Sequence, residues 1–410
     1  MSHLEATHGQ ADSIGTVAPG SLLPFPLRWS APVLAFGYGV GVRLHRAMSK
    51  PRYAPIATLC VGNLTAGGTG KTPAVKFIAR ELAACKRRPA VLMRGYKGQG
   101  LDEAREVQTA LSALQVPVIL GADRWLSAVT ARSQGCDVVI LDDGLQHWRL
   151  ARDLDIVLVD ATDPFGGERL LPEGRLREYP EALSRAGAII ITRSNAVSGR
   201  ILSELRNRIA HLAPGVPQAL ASHKPVRLVG CRTSETAEQS YLAATSDKIT
   251  NPAHCEIEKL CGMPIIAACG LGNPEAFRRT LLDLGAELLE FLTFPDHHKY
   301  TARDLEKLQS RAKFNHATGI IVTGKDMGKL AELSHAIESS IGNVEMENSP
   351  TTGSFPSLHP FSNTGLNKNG DVRVWALEIE FEIVEGRDEL WKKIMLGLDS
   401  GDRRAKMSNS

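Results

Sequence analysis

The chain lacks acidic residues over a long stretch near its start. Between Asp12 and Glu81 there is no aspartate or glutamate. The basic residues of this stretch are Arg28, Arg43, Arg46, Lys50, Arg52, Lys71, Lys76 and Arg80. Such a stretch favours binding to phosphate groups or to an anionic lipid surface, although chance clustering on a solvated face gives the same pattern. The net charge of +3 is too small to indicate binding to nucleic acid.

Paired-cysteine motifs are absent as well. The seven cysteines form no C-x-x-C pair and show no spacing typical of a metal site. Most of them lie in apolar runs, which favours buried thiols in a reducing compartment over a disulfide framework.

The apolar run Trp29–Val42 is too short to cross a membrane. It has 14 uncharged residues, whereas a spanning helix needs about 20, and it begins too far from the start for a signal peptide. Its aromatic residues and the basic residues after it suit a helix lying in the lipid interface. A buried core helix is the other interpretation, and the glycines at 37, 39 and 41 disfavour any helix.

Short apolar runs alternate with helix-like segments from residue 56 onward. The runs are Ile56–Val61, Ala90–Met93, Val116–Leu120, Val138–Leu141, Ile156–Val159 and Ala188–Ile191. Segments such as Lys71–Ala84 and Ala122–Gln134 are long enough for the helices that connect parallel strands. Because the runs are continuously apolar, they predict a parallel sheet with helices on both faces, an α/β fold.

A second set of alternating elements begins near Pro264. It predicts strands at Pro264–Ala268, Leu289–Leu292 and Gly319–Val322, and helices at Pro274–Leu284 and Thr301–Arg311. Apolar residues then alternate with glutamates, which predicts a strand with one solvated face; the apolar residues are Leu377, Ile379, Phe381 and Ile383. These elements indicate a smaller C-terminal α/β domain. Arg232–Ile257 and Met346–Asp371 are predicted to be surface loops or insertions.

The segment from Thr65 to Thr72 has the composition of a phosphate-binding loop. It joins a predicted strand to a predicted helix, as a P-loop must. Glycines at 67, 68 and 70 allow backbone N–H groups to close around phosphate oxygens. Lys71 would contact the β- and γ-phosphates and Thr72 would bind Mg²⁺. Thr65 stands where the usual first glycine is expected.

Two aspartates follow the apolar strand Val138–Leu141. Asp142 and Asp143 are hard oxygen ligands of the kind Mg²⁺ prefers, at the strand end where such sites occur. Paired aspartates also occur in turns and as helix caps, which Gly144 permits. The phosphate loop favours a magnesium site, because the two motifs together form a nucleotide-binding site.

Taken together, these residues resemble the tetraacyldisaccharide 4'-kinase family. The matching segments are 61–73, Asp142-Asp-Gly-Leu-Gln-His147, Arg149–Asp153, Arg169-Leu-Leu-Pro-Glu-Gly-Arg-Leu-Arg-Glu178, Gly270–Pro274 and Phe294-Pro-Asp-His-His298. A threonine at position 65 is usual in this family. The resemblance implies transfer of the ATP γ-phosphate to the 4'-hydroxyl of a tetraacylated glucosamine disaccharide 1-phosphate. It also implies a peripheral enzyme on the cytoplasmic face of the inner membrane, in contact with an anionic membrane surface.

The resemblance further assigns site residues. Phosphate or Mg²⁺ binding is implied for Lys71, Thr72, Asp142 and Asp143, with Gln146 and His147 lining the same site. The family's catalytic base is an aspartate of a Gly-Asp-Glu-Pro motif, paired with the histidine that matches His297. The nearest aspartate is Asp102, in a segment without that glycine and proline. The expected nucleotide-binding set is Thr65, Ala66, Gly67, Gly68, Thr69, Gly70, Lys71, Thr72, Gln146 and His147.

The predicted organisation has four parts. Residues 1–54 form a membrane-associating segment, 55–224 the P-loop kinase core, 225–395 the smaller α/β domain and 396–410 a disordered tail.

Two other functions stay open. One is a different P-loop enzyme, although no Asn-Lys-x-Asp guanine motif is present, which favours ATP over GTP. The other is a catalytically weakened relative that binds nucleotide or lipid, suggested by the altered surroundings of Asp102.

Overall fold

A computed structural model describes residues 30–95, 99–230, 254–271, 274–295, 298–331, 333 and 372–407. The predicted loop Met346–Asp371 lies outside these residues, and so does nearly all of Arg232–Ile257. Of the latter, residues 254–256 form a short strand.

The strands follow the predicted apolar runs closely. They are β1 (Ala57–Asn63), β2 (Pro89–Met93), β3 (Val118–Leu120), β4 (Val138–Asp142), β5 (Leu154–Asp160), β6 (Ala188–Thr192), β7 (Gln218–Gly230), β8 (His254–Glu256), β9 (Pro264–Cys269), β10 (Glu287–Thr293), β11 (Gly319–Thr323) and β12 (Val374–Glu385). The helices are α1 (Ala31–Met48), α2 (Lys71–Ala84), α3 (Gln99–Leu111), α4 (Arg124–Ser133), α5 (Gly199–Leu212), α6 (Pro274–Asp283), α7 (Ala302–Phe314) and α8 (Arg387–Met407). Residues 324–331 are also helical.

All twelve strands described belong to one sheet. Its order is β10-β9-β11-β12-β7-β6-β5-β1-β4-β2-β3, with β8 paired to β7. The strands from β7 to β3 in this order are parallel, whereas β12 runs antiparallel to β7. The predicted parallel sheet is therefore confirmed.

The first half of the sheet is covered on both faces. Alternate side chains of a strand point to opposite faces, so neighbouring residues of β1 enter different cores. Leu59 and Val61 pack with α2, α3 and α8, and Cys60 packs with α1, α4 and α5. In the second half, α7 and α6 contribute to two separate cores in the same way.

Strand β12 departs from the predicted alternation at one position. Leu377, Phe381 and Ile383 are buried, but Ile379 is 48% exposed. The pairing of β12 with β7 shifts register between Glu378 and Ile379. A bulge of this kind moves one side chain to the other face, which explains why the alternation wrongly groups Ile379 with the buried set.

The prediction of a disordered tail is wrong for residues 396–407, and residues 408–410 lie outside the described part of the chain. Helix α8 continues to Met407 and packs on β1, where a Cβ on Gly401 would lie 2.8 Å from the Cβ of Ala57. Arg404 donates to Asp153 at 2.7 and 3.0 Å and to the carbonyl of Ala54 at 2.7 Å. The sequence misleads here because the buried face of the tail consists largely of glycine and alanine, which give a weak apolar pattern.

The predicted boundary at residue 224 falls inside a strand. β7 spans Gln218–Gly230 and pairs with β6 on one side and with β12 on the other. Helix α8 follows the second set of elements in sequence but packs against β1. The two predicted α/β parts thus share one sheet.

The run Trp29–Val42 lies mainly in helix α1, despite its three glycines. Ala31, Ala35 and Gly39 form a buried stripe, while the other faces expose large apolar side chains: Val33, Leu34, Phe36, Val40, Leu44 and Met48. None of the described helices has the length and hydropathy needed to cross a bilayer.

The cysteines were predicted to be buried thiols. Cys60, Cys136 and Cys269 are buried, whereas Cys85 and Cys261 are exposed. The prediction is therefore wrong for these last two.

Candidate nucleotide-binding site

The phosphate loop and the two aspartates meet at one edge of the sheet. The loop follows β1, and β1 is flanked by β4 and β5. Val61 of β1 lies beside Asp142 of β4 in parallel register. Because both strands end at the same edge, the carboxylates emerge beside the loop, where α/β proteins bind their ligands.

Two glycines of the loop adopt backbone conformations that disfavour other residues. Gly67 has φ +118° and Gly70 has φ +85°. A Cβ on Gly67 would collide with the guanidinium of Arg175, and a Cβ on Gly70 would lie 3.2 Å from the ring of His223. A side chain at either position would therefore distort the loop.

Thr65 is held by the last residue of β1. Asn63 donates from Nδ2 to the Thr65 carbonyl at 2.7 Å and lies 3.3 Å from its hydroxyl. Thr65 also pairs with Leu176 in an isolated antiparallel bridge. These contacts hold the first turn of the loop in place, although position 65 carries threonine and not the usual glycine.

Lys71 begins helix α2 and points at the carboxylates. Its Nζ donates to Asn63 Oδ1 at 3.0 Å and lies 3.8 Å from Asp143 Oδ1. Burial lowers the pKa of this ammonium group below its ordinary value, although Asp143 opposes the shift. The sequence motifs assigned no role to Asn63, although it lies within the segment 61–73 that resembles the family.

Asp142 and Asp143 have different surroundings. Asp142 is 6% exposed, and its Oδ1 is buried without a hydrogen-bond partner. Burial raises the pKa of Asp142 to about 7, against the opposing charge of Lys71. Asp143 is also affected by burial, but Lys71 and Arg177 outweigh it and hold the pKa of this carboxyl below its usual value.

Arg177 and Glu178 connect Asp143 to Gln146. Arg177 Nη1 donates to both oxygens of Asp143 at 2.8 Å. Gln146 donates from Nε2 to Glu178 at 3.0 Å and to the Asn63 carbonyl at 3.3 Å. The structure thus brings Gln146 next to the loop. Sequence reasoning assigned no role to Arg177 or Glu178, although both belong to the segment Arg169–Glu178 that resembles the family.

Two histidines are strongly shielded, and one of them, His223, lies beside Gly70 of the loop. Burial lowers the pKa of His147 to about 4, and Arg124 adds to the effect. Burial likewise lowers the pKa of His223 to about 4, with a contribution from Arg193. The Nε2 of His223 is buried without a partner. His223 lies on β7, far from the loop in sequence, and no sequence motif pointed to it.

Of the predicted catalytic pair, the structure describes the backbone of Asp102. Asp102 lies in helix α3, but its side chain is outside the described part of the chain, and so is His297. The next residue in each segment is described. The negative charge of Glu103 raises the pKa of both Lys71 and Asp142. His298 lies with its Nε2 3.1 Å from Asp304 Oδ2, and its ring stacks on Phe294.

These features define the class of the protein. A glycine-containing loop joins a buried strand to a helix that begins with lysine, and two carboxylates face it from the next strand. This is a P-loop nucleotide-binding protein of the α/β type.

Comparison with known proteins narrows the class. A family model described as Tetraacyldisaccharide-1-P 4'-kinase matches residues 27–355. The tetraacyldisaccharide 4'-kinase of Syntrophus aciditrophicus is 37% identical over 349 residues, covering 78% of this chain and 88% of the relative. That of Parvibaculum lavamentivorans is 36% identical over 330 residues, covering 78% and 85%. The chain belongs to the tetraacyldisaccharide 4'-kinase family.

A solved structure supports the fold. LpxK from Aquifex aeolicus, crystallised in complex with ATP, matches with a TM-score of 0.59 at 22% identity, covering 91% of this chain and 99% of that one. The predictions of the family, of an α/β P-loop fold and of a kinase of lipid A synthesis are confirmed.

Proposed function

We propose that this chain transfers the γ-phosphate of ATP to the 4'-hydroxyl of a tetraacylated disaccharide 1-phosphate at the edge formed by residues 65–72, Asp142 and Asp143. The observation that carries the proposal is the position of Lys71. Its ammonium group is held between Asn63 and Asp143 at the start of α2, where a lysine contacts nucleotide phosphates.

The donor groups fit a magnesium ion. The unpaired, buried Oδ1 of Asp142 and the buried Thr72 hydroxyl are hard oxygen ligands, and Mg²⁺ takes few protein ligands beside water and substrate phosphates. The described residues contain no group of three or more His, Cys, Asp or Glu side chains that could hold a metal ion. The proposed site has only two carboxylates, so water and substrate phosphates would complete the coordination. Thr72, Asp142 and Asp143 would hold the ion, which when bound neutralises charge on the phosphates.

The chain's own cations have separate tasks in this scheme. Lys71 would neutralise charge that develops on the transferred phosphoryl group. Arg177 keeps Asp143 ionised and oriented through its contacts with both carboxylate oxygens. Gln146 is fixed by Glu178 and Asn63 and lines the edge beside Lys71.

The attacking hydroxyl needs a proton acceptor. An alcohol has a pKa far above neutrality, so a positioned base assists its attack on phosphorus. We assign this task to Asp102 with His297, on the resemblance of the segment Phe294–His298 to the family. The charge of Glu103 acts on Asp142, which supports a position of the start of α3 close to the site.

The lipid acceptor fits a peripheral position on an anionic membrane surface. Helix α1 exposes Val33 (74%), Phe36 (71%) and Met48 (80%), and Arg43 and Arg46 are exposed on the same helix. An apolar face beside basic residues is typical of a helix that lies in the lipid interface. We place the enzyme on the cytoplasmic face of the inner membrane.

The test compares two lysines of one helix. Phosphate transfer from labelled ATP to the disaccharide lipid is measured for wild type, Lys71→Ala and Lys76→Ala. Lys76 pairs with Glu106 at 2.8 Å, so its loss removes the same charge while keeping every loop contact. We expect Lys71→Ala to lower turnover about 100- to 1,000-fold and Lys76→Ala to leave it near wild type.

Two outcomes would contradict the proposal. Equal turnover of wild type and Lys71→Ala would show that the loop takes no part in phosphate transfer. ATP binding without any transfer to the lipid in the wild type would identify a catalytically weakened relative. Replacing ATP by GTP in the same assay separates this function from that of a GTP-dependent P-loop enzyme.

A further inference from the structure

The carbonyl groups of the phosphate loop are all hydrogen-bonded from residue 66 to residue 69. The Ala66 carbonyl accepts from Arg175 Nε at 3.0 Å, and the Gly68 carbonyl accepts from Arg193 Nη2 at 2.9 Å. The Thr69 carbonyl accepts from Thr192 Oγ1 at 3.0 Å. The Gly67 carbonyl accepts from the Thr69 N–H at 3.1 Å within the loop.

The two arginines are themselves held by acids of one segment. Arg193 pairs with Asp160, which is the last residue of β5 and is 5% exposed. Arg175 donates from Nη1 to Asp163 at 2.9 Å. Asp160 also accepts from the Thr162 N–H and hydroxyl at 3.0 and 2.7 Å. Each guanidinium therefore bridges a carboxylate and a loop carbonyl.

The position of a carbonyl determines where the next N–H points. In a planar trans peptide the C=O of one residue and the N–H of the next point in opposite directions. Arg175 holds the carbonyl of Ala66, so the N–H of Gly67 points away from the Arg175 guanidinium. Arg193 holds the carbonyl of Gly68, so the N–H of Thr69 points away from the Arg193 guanidinium, toward the Gly67 carbonyl that accepts from it. Gly67 needs this restraint because glycine is flexible.

We propose that Arg175 and Arg193 are positioning residues that hold the loop in its anion-binding conformation for the triphosphate chain of the nucleotide. Without them the loop must be ordered when phosphate binds, and this ordering weakens affinity. The proposal rests on the proposed function only in taking residues 65–72 as the phosphate-binding loop. It does not depend on the lipid acceptor.

The experiment measures binding of tripolyphosphate and of ATP to the full chain by titration calorimetry. The variants are Arg175→Ala, Arg193→Ala and, as the control, Arg208→Ala. Arg208 pairs with Glu168 and lies over the Phe165 ring, and neither of these partners belongs to the loop. We expect each of the first two variants to weaken both ligands about 10-fold and the control to change neither.

Further variants separate positioning from charge and from stability. Arg193→Lys keeps the charge but cannot bridge Asp160 and Gly68 with a planar fork, so we expect most of the loss to remain. The loss should persist at 0.5 M salt, where long-range charge effects are screened. Adding Asp160→Asn to Arg193→Ala should weaken binding little further, since both remove the same bridge.

The proposal is overturned by any of three results. These are wild-type affinity for tripolyphosphate in both arginine variants, full recovery in Arg193→Lys, or an equal loss in Arg208→Ala. Thermal unfolding without ligand is measured alongside. A lower midpoint with unchanged affinity would mean that the arginines only stabilise the fold, and it would also overturn the proposal.

Discussion

Glycine has two unrelated functions in this molecule. At positions 67 and 70 the backbone has positive φ, and the phosphate loop requires glycine for its conformation. At position 401 the reason is space, because a Cβ would lie 2.6 Å from Asp153 Oδ2 and 2.8 Å from the Cα of Ala57. A glycine in a sequence therefore indicates a phosphate-binding site only where its backbone conformation is also known.

Replacement of glycine by alanine should have opposite effects at positions 401 and 37, which both lie in helices. Gly401→Ala should destabilise the protein by about 1–3 kcal/mol, because the methyl group overpacks the contact of α8 with β1. A Cβ on Gly37 would meet open space, with no atom of the described residues outside its own helix within 4 Å. Gly37→Ala should therefore stabilise the protein by up to about 1 kcal/mol.

Urea unfolding of the two variants, monitored by circular dichroism, measures both effects. An unchanged free energy of unfolding for Gly401→Ala would show that α8 packs less closely on β1 than these distances require. A destabilised Gly37→Ala would mean that the exposed face of α1 is covered by another part of the chain.

At the scale of elements, the segment between β5 and β6 links α1 to the nucleotide site. Its Leu170 packs against Gly39 of α1, and the Arg43 guanidinium lies 5.6 Å from the ring centre of Tyr179. The same segment supplies Arg175 to the loop and Arg177 to Asp143. The helix proposed to contact lipid and the loop proposed to bind phosphate thus share one support.

The exposed face of α1 predicts a membrane contact that two substitutions would weaken. Changing Val33 and Phe36 to aspartate places two charges on this face. Because burying such a side chain is worth about 1.5–3 kcal/mol, we expect co-sedimentation with anionic vesicles to fall roughly 10-fold or more. Leu282→Asp, at a residue of α6 that is 42% exposed, is the matched control.

Vesicles without anionic lipid complete this test. The basic residues of α1 should make binding weaker on neutral vesicles and sensitive to salt. Unchanged co-sedimentation of the double variant would place the membrane contact elsewhere in the protein.

At the scale of the whole molecule, the chain returns to its first strand. Helix α8 ends the described part of the chain, yet it packs on β1, which carries the phosphate loop. Arg404 connects α8 to Asp153 and to the carbonyl of Ala54. Asp153 also accepts from the Thr58 N–H at 2.8 Å, so this carboxylate holds β1 and α8 together.

Removal of the last ten residues should therefore destabilise the protein. Without residues 401–410, the Thr58 N–H is the only donor among the described residues that still contacts the buried carboxylate of Asp153. Loss of its charged partner costs on the order of 3–5 kcal/mol. Removal of residues 408–410 alone is the control and should have little effect. The midpoint of thermal unfolding of the two truncated chains measures the difference, and equal midpoints would contradict the role of α8.

Much of the fold could be predicted because its strands are buried on both faces. Such strands are continuous apolar runs, and β4 was predicted at Val138–Leu141 and lies at Val138–Asp142. Helix α2 was predicted with the bounds that it has in the structure. By contrast, α5, β7 and α8 were not predicted. β7 mixes polar residues and a proline into a long strand, and α8 buries small residues that give a weak pattern.

The candidate site was predictable only in part, for the same kind of reason. The loop 65–72 and the pair Asp142–Asp143 are short motifs whose chemistry follows from adjacent residues, and the structure brings them together. The roles of Asp102 and His297 stay predictions. Arg175 and Arg193 were not assigned to the site, because they lie 109 and 125 residues from the loop carbonyls that they contact.

The sequence by itself determined the class of fold, the phosphate loop and its carboxylate partners, because hydrophobic periodicity and glycine-rich turns act through near neighbours. Only the tertiary structure decided which side chains support that loop, where the last helix packs, and which face of α1 is exposed. These features depend on contacts between residues that are distant in the chain, and no local pattern encodes which distant partner a guanidinium or a glycine will meet.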